Sequence, residues 1–168
     1  MDPLPCASML KLPRPAHTIY TRYALSDLEQ NKVQFSLEDL CEDRILYTEF
    51  MRYLEQRVST ENLKCIRSIR IFQELIQDPN THSSGVEYAH TVYKFFVCPG
   101  SAYNISLSHT HLKEVMRTLA TPHPSMFAQV EVSATSALRT HYDMYVLTRE
   151  YAGLCRVVLQ HKESGILA

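Results

Sequence analysis

The sequence predicts an all-α fold, one bundle of short helices, on three observations. Residues 16–78 contain neither proline nor glycine, whereas Pro3, Pro5, Pro13 and Pro15 punctuate the first fifteen positions. Both residue types break helices, so the contrast separates an irregular tail from a long helical stretch. Further on, Asp78-Pro79-Asn80, Gly85, Pro99-Gly100, Pro122, Pro124 and Gly153 cut the chain into helix-length pieces. Within the pieces apolar residues recur at steps of three and four, and the alternation of a half-buried strand is scarce.

The elements follow in order. Leu37, Leu40, Cys41, Ile45, Leu46, Phe50, Tyr53 and Leu54 form one buried stripe. Ser36 before it is a good N-cap, and Asp39 three residues later completes a capping box in part. Leu63, Ile66, Ile69, Phe72 and Ile76 mark a second helix. Segment 85–97 carries Ala89, Val92, Tyr93, Phe96 and Val97, and segment 108–119 carries Leu112, Val115, Met116 and Leu119 behind a Ser108 cap. Past the Pro122 and Pro124 turn, Phe127, Val130, Ala134, Ala137 and Leu138 continue one face. Tyr142, Tyr145, Val146 and Leu147 then predict a last helix ending near Gly153. The expected division is a tail over 1–17, a helical domain over 18–153 and a C-terminal extension over 154–168.

Composition narrows the function. A chain of 168 residues suits one domain with a single core. Seventeen Lys and Arg stand against eighteen Asp and Glu, so no net field draws it to nucleic acid. The N-terminus lacks a basic segment followed by an apolar run, and no window approaches the roughly 18 apolar residues that span a bilayer. Cys6, Cys41, Cys65, Cys98 and Cys155 are odd in number, widely spaced and never paired as Cys-x-x-Cys. That pattern argues against a disulfide framework or a zinc site and for a reducing cytoplasm. Cys41, Cys65 and Cys155 sit among periodic apolar residues, as small buried hydrophobes do.

His109 and His111 stand two apart, with His123 downstream, but residues two apart on a helix do not share a face, and no metal is expected. Neither a Gly-x-Ser-x-Gly elbow nor a Gly-rich phosphate loop is present, so no active site of its own and no cofactor are expected. Arg67, Arg70, Lys113 and Arg117 read as solvated helix faces, with a basic patch for lipid or acidic partners as the alternative.

An ordered series of motifs then resembles a known family. Phe35-Ser36-Leu37-Glu38-Asp39-Leu40 is followed by Asp43, Phe50, Tyr53-Leu54 and Val58-Ser59-Thr60-Glu61-Asn62-Leu63. This resembles the opening of regulator of G-protein signalling (RGS) domains, with their Ser-x-Glu-Asn-Leu. Ala89-His90-Thr91-Val92-Tyr93-Lys94-Phe95-Phe96-Val97 is similar to the family's central helix, and Pro99-Gly100 to its turn. Ile105-Ser106-Leu107-Ser108 and the spacing from Pro122 to Phe127 extend the likeness over roughly 32–152.

The resemblance implies a bundle of about nine short helices whose loops grip the switch regions of a Gα subunit in its GTP or transition-state form. It implies a GTPase-activating protein acting as a monomer in the cytoplasm, with peripheral recruitment to the inner face of the plasma membrane left open. The alternative is an RGS-homology scaffold without GTPase activation. By position, Ser59, Thr60, Glu61 and Asn62 match the first contact loop. In the second, Ser106 stands where the family has asparagine, with Asn104 two residues earlier. The third reads Ala137, His141, Tyr142 and Tyr145, and its family Asp and Arg pair is missing in either of two registers.

Overall fold

A computed structural model describes residues 23–163; the predicted tail over 1–17 and Cys6 lie outside them. The described residues form nine α-helices and no strand. The helices are α1 (Leu25–Glu29), α2 (Leu37–Glu42), α3 (Arg44–Glu55), α4 (Glu61–Gln77), α5 (His82–Val92), α6 (His109–Thr118), α7 (Ala128–Tyr145), α8 (Arg149–Ala152) and α9 (Leu154–Glu163). A π-turn, Tyr93–Val97, continues α5. The described residues form the expected all-α bundle.

Local chemistry sets the boundaries. Ser36 caps α2: its hydroxyl accepts from the Asp39 amide at 3.1 Å, and the Asp39 carboxylate accepts from the Ser36 amide at 2.7 Å. The apolar stripe over 37–54 is not one helix. Asp43 adopts an extended backbone and its carboxylate accepts from the amides of Ile45 and Leu46, which ends α2 and starts α3. Ser108 caps α6 through the His111 amide. Tyr142 and Tyr145, expected in a separate last helix, belong to the 18-residue α7.

The core gathers on α4, whose Leu63, Cys65, Ile66, Ile69, Phe72 and Ile76 are buried against α5 and α7. Phe72 meets the edge of Phe127 at 5.2 Å between ring centroids. Gly85 lets α5 approach the end of α4: a Cβ there would stand 2.8 Å from the Ile76 nitrogen and 2.9 Å from its Cα. Arg70 on α4 bridges two neighbours, at 2.9 Å from Glu42 and 3.9 Å from Glu131. Arg67 lies over the Tyr47 ring at 5.1 Å. These two arginines are therefore spoken for, whereas Arg117 is solvated and pairs with Glu114 at 2.7 Å.

Two tyrosines fasten the entry to the exit of the chain. The hydroxyls of Tyr142 and Tyr151 both donate to the Phe35 carbonyl, at 2.9 and 2.8 Å. The Cys155 thiol lies 3.7 Å from the Val33 carbonyl, and α9 buries Leu154, Cys155 and Val158 against α1 and α3.

Burial pushes the Cys41 thiol up to about 11, against the pull of the Arg70 guanidinium, and Cys65 up to about 12. Each is neutral in the fold, so its stabilising effect is whole below the ordinary value of 9.0 and is withdrawn as pH rises through 11 and 12. In the native domain at pH 8, iodoacetamide leaves Cys41 and Cys65 unmodified, and urea exposes both to reaction. Native labelling at the rate of a free thiol would contradict this burial. Gly85→Ala lowers the unfolding free energy by about 2 kcal/mol despite alanine's better helix propensity, because the obstructing atoms are backbone. Urea titration measures the change.

Candidate functional site

Three segments meet at one end of the bundle. The first is the turn after α3. Its Ser59 amide donates to the Leu54 carbonyl and its Val58 amide to Glu55, both at 3.2 Å. This two-bond closure places its central residue in the left-handed region, where glycine is usual. Here that residue is Val58, with φ 52, and it is 92% exposed. A β-branched residue in this conformation carries strain.

The turn delivers Thr60 as N-cap of α4, without a side-chain cap bond. Glu61 lies in the first turn, where the helix dipole favours a carboxylate. Asn62 is 8% exposed and donates to Glu61 Oε1 at 3.3 Å.

The second segment follows the π-turn. Gly100, at φ 80, permits the turn in which the Ser101 amide donates to Cys98. The Asn104 side chain donates to the Cys98 carbonyl at 3.1 Å, and Ile105 is buried, its amide bonded to Phe96. Asn104 and Ser106 flank that anchor and are exposed.

The third segment is α7. Ala137 is exposed one turn before His141, whose Nε2 lies 2.8 Å from Ser59 Oγ. Glu61, Asn62, Asn104, Ser106 and Ala137 line one cleft of about 180 Å³, with Ile105 and Ser133. A wider neighbouring cleft of about 480 Å³ runs between Glu55, Val58, Thr60, Glu61 and Ala102, Tyr103, Asn104.

The remaining expected residues sit elsewhere. Tyr142 turns its hydroxyl to Phe35. Tyr145 is 1% exposed, with ring centroids 4.5 Å from Tyr53, 5.1 Å from Phe50 and 5.5 Å from Tyr151. Burial raises its hydroxyl well above the usual range. Its side chain therefore presents no surface at this end. Ser133 escaped the sequence reading although it lies one turn before Ala137; helical spacing alone would have found it.

The family model of the regulator of G protein signaling domain matches residues 36–152. The chain belongs to the RGS family. No curated protein matches the chain. RGS domains bind Gα subunits and regulate G-protein signalling.

In this RGS domain the described residues include no cluster of His, Cys, Asp or Glu that could hold a metal ion, and no helix long and apolar enough to cross a membrane. In the third segment it is His141 that the fold places against Ser59.

Val58→Gly relieves the left-handed strain and removes a side chain that packs on little else. It raises the domain's stability by about 1 kcal/mol, seen as a rise of several degrees in a thermal melt. An unchanged or lower midpoint would show that the turn is not strained.

Proposed function

We propose that this RGS domain grips Gα in its GTP or transition-state form and accelerates its GTP hydrolysis. The observation that carries the reading is the convergence of Glu61, Asn62, Asn104, Ser106 and Ala137 on one cleft, with Ser59 tethered to α7 beside it. No lysine or arginine lines that cleft. It offers two amides, two hydroxyls and a carboxylate, groups that hold a mobile loop by hydrogen bonds and supply no cation to a transferring phosphate.

Such chemistry suits a Gα partner, which carries its transition-state arginine in cis and lacks a rigid arrangement of its switches and water-orienting glutamine. Contacts stronger in the transition state than in the GTP-bound ground state lower the barrier. The domain acts as a monomer, on Gα at the inner face of the plasma membrane.

Single-turnover GTP hydrolysis by Gα tests the reading. Wild-type domain accelerates it, and Asn62→Ala loses about tenfold or more of that acceleration, the worth of an amide hydrogen bond made in the transition state. Because Asn62 is nearly buried, a thermal melt accompanies the assay. Ser106→Asn, at an exposed position, increases the acceleration by restoring the family's longer amide. Hydrolysis unchanged with every Gα class would overturn the reading, and binding to Gα with GDP and aluminium fluoride but no acceleration would favour a scaffold.

A further inference from the structure

The Ser59–His141 contact joins positions 82 apart in the chain and ties the first contact loop to α7. The two ring nitrogens of His141 have unequal surroundings. Nε2 faces Ser59 Oγ, whereas Nδ1 is buried and has no hydrogen-bond partner in the protein.

The neutral ring has two tautomers. With the proton on Nε2, the ring donates to Ser59 and Nδ1 is an unpaired acceptor. With the proton on Nδ1, the serine hydroxyl donates to Nε2. A second proton leads from either to the same species, an imidazolium whose Nε2–H reaches Ser59 and whose Nδ1–H is buried without an acceptor. Burying an unpaired charged donor costs more than burying a neutral one.

Nothing nearby compensates. No described carboxylate forms an ion pair with His141. The charged groups on the surrounding elements include Glu49, Arg52 and Glu55 on α3 with Arg57 just beyond it, Glu61 and Lys64 in the first turns of α4, Glu131, Arg139 and Asp143 on α7, and Arg149 and Glu150 on α8. Arg57 is folded over the Tyr53 ring at 3.7 Å, and Arg139 stands 5.9 Å from the Tyr142 ring. The Tyr53 hydroxyl is also buried without a partner; it can donate or accept a hydrogen bond but carries no charge to neutralise an imidazolium. The protonated ring therefore has to leave its seat to hydrate Nδ1, and Ser59 loses its tether.

We propose that His141 is a positioning residue whose protonation releases the Ser59–Asn62 loop from α7, so that acidification lowers the domain's affinity for Gα. The affinity clause rests on the function proposed above; the loop release does not. Two measurements separate them.

In the free domain, NMR follows the His141 ring nitrogens and the amides of Ser59, Glu61 and Asn62 from pH 7.5 to 5.5. Ring and loop shift with one midpoint, and in His141→Gln, whose side-chain amide does not titrate, the loop signals stay still. Loop amides that ignore the ring overturn the proposal. Should His141→Gln fail to fold, Ser59→Ala serves: the loop then no longer follows the ring.

Calorimetry with Gα carrying GDP and aluminium fluoride gives the second readout. Wild-type affinity falls about fivefold more than that of His141→Gln over the same range, the scale of one neutral hydrogen bond; comparing the two proteins cancels any titration of Gα. Equal slopes overturn the affinity clause. A loop that follows the ring in a domain that binds no Gα at any pH also overturns that clause, together with the proposed function, and supports the loop release alone.

Discussion

Burial of α4 between α5 and α7 is the constraint to which the rest of the domain answers. Leu63, Ile66, Ile69, Phe72 and Ile76 leave water almost completely. At about 2 kcal/mol each they contribute on the order of 10 kcal/mol gross, comparable with the net stability of a whole domain. A helix held on several sides cannot rotate about its axis. Its first turn therefore points Glu61 and Asn62 in a fixed direction, and Asn104, Ser106 and Ala137 are brought to it by neighbours packed on the same helix. Precision at the site is thus a property of the core, transmitted through α4.

Much of this was legible in the chain because helical burial writes itself as a period of three to four. The stripes that became α4 and α6 stood out, as did the caps at Ser36 and Ser108. What stayed hidden was local. The stripe from Leu37 to Leu54 runs unbroken through Asp43, because two short helices kept in step preserve the apolar spacing across their junction. Only the two amides bonded to the Asp43 carboxylate reveal the break. The π-turn over 93–97 inserts itself without disturbing the pattern that names its residues. At the site, the order of the motifs marked Glu61, Asn62, Asn104, Ser106 and Ala137. It did not show that His141 lies opposite Ser59, because a contact between positions 82 apart is a product of the packing. Tyr145 was marked by the same resemblance, yet its aromatic neighbours from α3 and α8 draw it inward.

Local compromise concentrates around the segments that line the two clefts. Val58 holds a left-handed backbone that suits glycine, with its side chain almost wholly in water. Among the described residues, the buried side-chain atoms without a partner are Tyr53 Oη, Ser101 Oγ and His141 Nδ1. They lie on α3, on the second loop and on α7, the elements that border the two clefts. Unsatisfied groups of this kind cost about 1–3 kcal/mol each and are uncommon. Strained and unsatisfied groups of this kind tend to cluster at functional sites, and here they border the two clefts.

The shared acceptor at Phe35 has a consequence for how the molecule breathes. Phe35 precedes the span that matches the family, and α9 follows it; Tyr142 of α7 and Tyr151 of α8 hold Phe35, and the Cys155–Val33 contact joins α9 to the segment before it. Neither end can peel away without stripping hydrogen bonds from the other. Opening at Phe35 strips a bond from α7, the helix that also carries Ala137 and His141, so the start of the domain and the clefts are coupled through one helix.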